Sequence, residues 1–285
     1  MTVRVLARAA LCLAVVLAGC GGATAPGGRV GTPPETVTPA PVPTDRSPTV
    51  REGVDGERLV PLAERHEAAL ADRSFTVLGR RVVTGPVGTL LDARWERRVA
   101  PDRDAYHEVR TGTETWGWDG PAPADRRHTY HETERTVTRQ VTGGEVRYEV
   151  DRDPPPGGPL SDLDDAEHLR SLLGAFGTWR GVRHPNGTLV LSGRGIDRPE
   201  VVRAPPPLGD PRNATAELRV EPDGRVARAS VRFEATVDGM SASVVEVRRY
   251  VAVGSTPTDR PPWYDGALGG PNADVPTTDH ERTGG

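Results

Sequence analysis

The sequence predicts an α+β domain: one strongly curved antiparallel β-sheet, a half-barrel, with two main helices packed on its concave face. Three observations support this prediction. Several segments alternate between apolar and polar residues with a period of two, which is typical of an antiparallel sheet with one solvated face. Asn-Gly or Asp-Gly pairs separate such segments, as in tight hairpins. Two further segments carry apolar residues at helical spacing.

The first segment of the chain has the pattern of a lipoprotein signal peptide, residues 1–19. Arg4 and Arg8 flank the start of an apolar run, Ala9–Leu17, that is too short to cross a bilayer as a helix. Leu17-Ala18-Gly19-Cys20 ends the run as a lipobox. We expect cleavage before Cys20, a membrane lipid anchor on Cys20, and an extracellular domain at the outer face of the cytoplasmic membrane. An ordinary signal peptide or an uncleaved anchor is the alternative.

The remaining chain divides by composition into three parts. Residues 20–56 are rich in Pro, Thr and Gly and predict a disordered tether. Residues 57–265 form the α+β lipoprotein domain, and 266–285 predict a disordered C-terminal tail. Cys12 and Cys20 are the only cysteines, so the mature domain has no disulfide and depends on its core.

The charge of the chain excludes one class of partner. The formal net charge is -4, and it becomes -6 when the two arginines of residues 1–19 are removed. A mildly acidic protein is a poor match for nucleic acid, so no nucleic-acid partner is expected. Every basic residue is arginine, as in salt-adapted proteomes of high GC content.

The domain begins with a predicted helix, followed by strands. The first helix is indicated by apolar residues and one histidine at helical spacing: Leu59, Leu62, Ala63, His66, Ala69 and Leu70. Alternating patterns then predict strands over 89–99, 145–150, 215–221 and 225–237. The pairs Asn186-Gly187, Asp223-Gly224 and Asp238-Gly239 mark hairpin turns, so 215–253 is predicted to be a three-stranded meander.

The longest of these strands predicts the curvature. Residues 225–237 would extend over more than about 40 Å if straight, and strands of that length normally bend. We expect about eight to ten strands in total. A second helix is predicted from an apolar stripe between Leu160 and Phe176, with Ser161 as N-cap, acidic residues in 162–167 near its positive end, and Gly177 as its stop.

These features together resemble a group of haloarchaeal surface lipoproteins of unknown function. The resemblance rests on the lipobox, the tether, the motif His66-x-x-x-Leu70-x-x-x-Ser74-Phe75-Thr76, the final meander and the closing Pro262-Trp263. In architecture such proteins are similar to the periplasmic lipoprotein carriers (LolA-like) and the mycobacterial lipid-binding lipoproteins (LppX/LprG-like). That similarity implies an apolar cavity between a curved sheet and its helices.

No motif for catalysis, a cofactor or a metal stands out. His131-Glu132 has Arg135 where a zinc-protease motif needs a second histidine, and on a strand His128 and His131 would face opposite sides. Ser192 lacks the first glycine of a hydrolase elbow. His66 lies on an apolar helix face, where a packed, hydrogen-bonded histidine is expected. The acidic run 162–167 lacks the spacing of a calcium loop and is better explained as a helix start.

Two sets of residues remain as predicted sites. Asn186 and Asn213 each begin an Asn-x-Thr glycosylation sequon in a predicted turn or loop. Aromatic residues are scarce, and five are predicted to line a ligand cavity, although core packing is the alternative for them: Trp95, Trp116, Trp118, Phe176 and Phe233.

The sequence therefore predicts a non-enzymatic, membrane-anchored extracellular lipoprotein that binds a lipid or other apolar ligand between sheet and helices, without a cofactor. The alternative is a structural or protein-interaction module of the cell surface, with a solid core, an envelope protein as partner and no small ligand. An enzyme is the third hypothesis.

Overall fold

The computed structural model describes residues 49–114, 125–133, 135–152, 162–202 and 208–269. Three α-helices are described: α1 (Pro61–Leu70), α2 (Ala166–Ala175) and α3 (Tyr264–Leu268), with short 3-10 helices at Gly56–Leu59 and Pro199–Val202. The described strands are β1 (Thr49–Asp55), β2 (Phe75–Gly85), β3 (Gly88–Val99), β4 (Ala105–Glu114), β5 (Arg126–Glu132), β6 (Arg135–Thr142), β7 (Glu145–Asp151), β8 (Thr178–Arg183), β9 (Leu189–Arg194), β10 (Gly209–Val220), β11 (Val226–Val237) and β12 (Met240–Val251).

Within the described residues, all strands belong to one open antiparallel sheet. Their order is β1-β8-β9-β10-β11-β12-β2-β3-β4-β5-β6-β7, with β1 and β7 at the edges. The predicted antiparallel sheet with few helices is confirmed. The expected number of eight to ten strands was too low, because short strands such as β5 and β6 carry polar residues on both faces and lack a clear alternation. The curvature of the sheet and the packing of helices on a concave face remain predictions.

The predicted C-terminal meander is formed by β10, β11 and β12, which pair in sequence order. Its two turns contain Gly224 and Gly239, which have φ values of +91° and +78°. Residues that carry a side chain rarely adopt such φ values, which explains the Asp-Gly pairs at both turns. β11 alternates almost throughout between buried and less buried residues, so one of its faces belongs to the core.

Helices α1 and α2 contribute to the main core, which lies on one face of the sheet. We call this side the helix face. His66 of α1 is fully buried there: its Nδ1 accepts the backbone N–H of Val226 at 3.0 Å, and its Nε2 lies 3.0 Å from the carbonyl oxygen of Asp164. Burial lowers the pKa of His66, so the ring is neutral at pH 7, with Nε2–H as donor to Asp164. His66 is therefore a structural link between α1, the sheet and the chain before α2.

Helix α2 begins later than the sequence predicted. Its first residue is Ala166, because Asp165 has a left-handed φ of +59° that interrupts helical geometry. The acidic residues still cap the helix. The carboxylate of Asp164 accepts the N–H of Ala166 at 3.1 Å, and that of Asp162 accepts the N–H of Glu167 at 3.0 Å. Ser161, the predicted N-cap, lies outside the described residues.

Two short elements, β1 and α3, lie at the two ends of the described domain. β1 lies in the stretch for which a tether was predicted, and it pairs with β8. α3 packs against the sheet face opposite to the helix face, where Tyr264 and Ala267 form a small buried cluster with Tyr130 and Val137. We call this side the open face, because along β2–β4 and β10–β12 its side chains are mostly half-buried or exposed.

Candidate ligand-binding groove

A groove of about 850 Å³ runs across the open face over β2–β5, β11 and β12. Its volume is within the range of small-molecule sites, roughly 300–1,000 Å³. A second depression of about 400 Å³ over β9–β12 shares Arg228, Val245 and Val247 with it. The groove is lined by Leu78, Gly79, Arg80, Val82, Arg94, Trp95, Glu96, Arg98, His107, Val109, Thr111, Arg126, His128, Arg228, Val245, Val247 and Arg249.

The floor of the groove is apolar. Val82 on β2 and Val245 on β12 are direct register partners. Val247 lies two residues further along β12 on the same face, and Leu78 lies beside it on β2 as the partner of Arg249. All four side chains are half-buried. A continuous apolar strip is therefore accessible in the middle of an otherwise polar sheet face.

The rim of the groove is strongly basic. Its lining includes one carboxylate, Glu96, and six arginines: Arg80, Arg94, Arg98, Arg126, Arg228 and Arg249. The chain as a whole has a net charge of -4. Positive charge is thus concentrated around the apolar floor.

Carboxylates neutralise part of this rim. Arg80 and Arg94 both donate to Asp92, with nitrogen–oxygen distances of 2.8 and 3.2 Å. The hydrogen bond from Arg80 is the main reason why the pKa of Asp92 is lowered to about 2. Arg98 donates to Glu96 at 2.7 Å. Each of these three arginines therefore has a carboxylate partner within the sheet, although Arg80 and Arg94 share the one charge of Asp92.

Two histidines form the end of the groove nearest to α3. The rings of His107 and His128 are stacked at 5.7 Å, and both approach the indole of Trp263, at 6.2 and 5.9 Å. Burial is the main cause that lowers both pKa values, that of His107 to about 4, so both rings are neutral at pH 7. Within the described residues, Nε2 of His107 and both ring nitrogens of His128 have no hydrogen-bond partner.

The helix face holds a buried ion cluster between α2 and the sheet. Asp165 lies 3.3 Å from Arg97 and 2.9 Å from Arg248, and it accepts the hydroxyl of Tyr250 at 3.2 Å. Burial alone would raise the pKa of Asp165, but Arg248 and Arg97 outweigh it and hold the pKa below its ordinary value. Asp165 is therefore charged and connects α2 to two strands.

Glu246 extends this cluster along β12. Its carboxylate lies 2.9 Å from Arg248, 3.4 Å from Arg81 and 3.7 Å from Nε2 of His168 on α2. The cluster and the buried apolar core occupy the interface between α1, α2 and the sheet. The groove lies on the other face, away from the place where the sequence predicted a cavity.

The structure separates the described aromatic residues that were predicted to line a cavity. Trp95 is among the residues that line the groove, but its indole lies on the helix face, where the guanidinium of Arg248 in the ion cluster lies 5.5 Å from its ring centroid. Phe176 is buried in the core edge-to-face with Trp179, at 5.4 Å, and Phe233 is buried in the same core. Neither phenylalanine lines the groove.

The other predicted site residues are distributed as follows. Cys20, Trp116 and Trp118 lie outside the described residues. Asn186 is exposed in the turn between β8 and β9, where its side-chain oxygen accepts the N–H of Thr188. Asn213 was predicted in a loop but is exposed within β10, where the register with β11 shifts between Arg212 and Thr215, and its amide nitrogen donates to Glu234 at 3.0 Å. Glycosylation of either asparagine stays a prediction.

The two histidines of the possible metal motif, His128 and His131, lie on opposite faces of the sheet. His128 faces the groove, whereas His131 stacks on Tyr106 on the helix face, at 5.6 Å. Among the described residues, no group of three or more His, Cys, Asp or Glu side chains is placed to hold a metal ion. None of the helices described has the length and apolar character needed to cross a membrane.

The sequence alone would not have identified the groove. Leu78, Val82, Val245 and Val247 are apolar residues on the side of β2 and β12 that faces away from the core. The signal available in the sequence was that β2 and β12 carry apolar residues on both faces of the sheet. A strand such as β11 has large apolar residues on one face only.

Comparisons with known proteins give weak structural similarity and no sequence match. No family model and no curated protein matches the chain. A solved structure of a LolA superfamily protein from Nitrosomonas europaea aligns at 10% identity, covering 73% of this chain and 96% of that one, with a TM-score of 0.27. An N-terminal dehydratase from the difficidin assembly line aligns at 11% identity over 79% of this chain and 98% of that one, with a TM-score of 0.12. Scores this low carry no argument about function, which therefore rests on the groove.

Proposed function

We propose that this protein is a non-enzymatic lipoprotein, anchored through Cys20 at the outer face of the membrane, that binds a lipid or other apolar ligand in the groove of its open face. The proposal that the protein binds a ligand rests on one observation. An accessible apolar strip lies inside a groove of about 850 Å³ and consists of Leu78, Val82, Val245 and Val247. Accessible apolar side chains on the middle strands of a sheet favour a covering ligand. The groove replaces the interface between sheet and helices as the proposed site, because buried core side chains and the ion cluster occupy that interface, whereas the apolar strip of the groove is accessible.

Ligand binding can be tested on the full chain carrying Cys20→Ser. Pyrene-dodecanol, an uncharged probe with one alkyl chain, should bind with a rise in pyrene fluorescence that saturates at one probe per protein. Val247→Trp should block the floor and weaken binding at least tenfold. Val146→Trp is the matched control, because Val146 is exposed on β7 and does not line the groove. Absence of saturable binding, or equal binding by both variants, would contradict the proposal.

The anchoring half rests on the lipobox and is tested separately. Cys20→Ser should leave the domain folded and shift it from the membrane fraction to the medium. Retention of the Cys20→Ser protein in the membrane fraction would show that Cys20 is not the anchor.

The packed core of the helix face favours the alternative, a surface module that contacts an envelope protein and holds no small ligand. This alternative predicts that the open face is covered by protein. Pyrene-dodecanol would then fail to bind, and the Val247→Trp variant would lose a protein partner that the Val146→Trp control retains.

A further inference from the structure

We infer that the ligand of the groove is an anionic membrane lipid, whose headgroup lies on Arg228 and Arg249 and whose chain lies along the apolar floor. This inference rests on the proposed function and narrows it to one chemical class of ligand. Three observations carry it: an uncompensated pair of arginines, its continuity with the floor, and the shortage of carboxylates in the lining.

A row of arginines crosses three neighbouring strands. Arg219, Arg228 and Arg249 are register partners on β10, β11 and β12. Directly opposite residues have Cα atoms about 4.5–5.5 Å apart, and like charges in such positions oppose each other. Arg219 is relieved by Glu221 at 3.1 Å. Among the described residues, Arg228 and Arg249 form no ion pair, so no described carboxylate relieves their repulsion.

The arginine pair is continuous with the apolar floor. On the next strand, β2, the register partner of Arg249 is Leu78, which belongs to the apolar floor. Val247 lies two residues from Arg249 on the same strand and face, opposite Arg80 and Ser230. One molecule with an anionic head and an alkyl chain can therefore contact both the arginines and the floor.

The charge pattern favours this ligand over other classes. A neutral lipid would fill the floor but leave Arg228 and Arg249 unrelieved. A small anion would relieve the arginines but leave the floor exposed to water. The guanidinium group matches phosphate and carboxylate oxygens with paired hydrogen bonds. Arg126, a third rim arginine without an ion pair among the described residues, adds positive charge to the same groove.

The charge preference is tested with two pyrene probes that have the same alkyl chain. The protein is the full-length polypeptide carrying Cys20→Ser. Pyrene-dodecanoic acid, ionised at pH 8, should bind at least tenfold more tightly than pyrene-dodecanol. Inorganic phosphate, which has no chain, should compete only at millimolar concentration. If the acid and the alcohol bind equally, the inference fails and the proposed function stands. If neither binds, the proposed function fails as well. Competition by phosphate as strong as that by the acid would also overturn the inference.

Variants of the arginine pair separate binding from stability. Arg228→Gln and Arg249→Gln should each weaken binding of the acid about tenfold, and the double variant about a hundredfold, so that the acid loses its preference over the alcohol. Thermal stability should stay equal or rise, because a like-charge pair has been relieved. Arg147→Gln, an exposed arginine of β7 paired with Glu145, is the control and should change neither binding constant. A loss of stability without a change in the acid's affinity would assign the pair a structural role and contradict the inference.

Discussion

Replacement of Asp165 by asparagine should destabilise the protein far more than loss of a surface charge does. Asp165 is 4% exposed and accepts from Arg97, Arg248 and Tyr250. Asparagine has a similar shape and tolerates the left-handed φ of this position, so Asp165→Asn changes mainly the charge. Removal of one partner from a buried ion pair costs about 3–5 kcal/mol.

We expect the lower end of that range, about 3 kcal/mol, because the remaining carboxylates still compensate the two arginines. Glu108 lies 2.9 Å from Arg97, and Glu246 lies 2.9 Å from Arg248. The amide oxygen of asparagine also still accepts a hydrogen bond. A loss of this size is a large fraction of the 5–15 kcal/mol by which a typical domain is stable.

The assay is urea unfolding of the full chain at pH 7, followed by tryptophan fluorescence, with the free energy of unfolding taken from the linear dependence on urea. Asp92→Asn is the matched control. Asp92 pairs with Arg80 and Arg94, whose side chains are 52% and 60% exposed, and such pairs contribute about 0–1 kcal/mol. The reasoning is refuted if Asp165→Asn costs less than about 1 kcal/mol or no more than Asp92→Asn.

Three further predictions concern packing, pH and helix propensity. Gly79→Ala should cost about 1–3 kcal/mol, because the added methyl group would overlap the indole of Trp95; an unchanged urea midpoint would be inconsistent with this overlap. Burial lowers the pKa of His168 from 6.5 to about 4, so the unfolded state binds the proton first as pH falls. Between pH 7 and pH 4 the wild type should therefore lose about 1–3 kcal/mol relative to His168→Gln, whereas parallel pH profiles would exclude this effect. Gly266→Ala should stabilise α3 by about 0.5–1 kcal/mol, because no neighbour lies within 4 Å of the added carbon; a lower melting temperature would count against it.

Local patterns were sufficient to predict the helix α1 and the meander of β10–β12. The meander is predictable because β10 and β11 alternate in burial and each turn has its own Asp-Gly signal. His66 was predictable as a packed residue because it lies on the apolar stripe of α1. Its two hydrogen-bond partners, Val226 and Asp164, were not, since they come from distant parts of the chain.

The features that the sequence did not predict depend on long-range pairing. The groove floor joins Leu78 and Val82 to Val245 and Val247 only because β2 and β12 are neighbours in the sheet. The arginine row likewise exists only in the observed register of β10, β11 and β12. A one-residue change of register would move every one of these side chains to the other face.

The late start of α2 and the position of α3 have local causes that composition did not reveal. Asp165 was expected inside a helix, but its backbone is left-handed and its carboxylate pairs with two arginines before the helix begins. α3 spans five residues, too few for a helical pattern to be recognised, and its attachment depends on contacts of Tyr264 with Tyr130 at 5.1 Å between ring centroids.

The most direct test of the proposed site is a crystal structure of the full chain carrying Cys20→Ser with dodecanoic acid bound. We predict an alkyl chain along Leu78, Val245 and Val247, and a carboxylate about 3 Å from the guanidinium of Arg228 or Arg249. A chain bound between α2 and the sheet, or a groove with no bound acid at saturating concentration, would contradict the assignment of the open face as the ligand site.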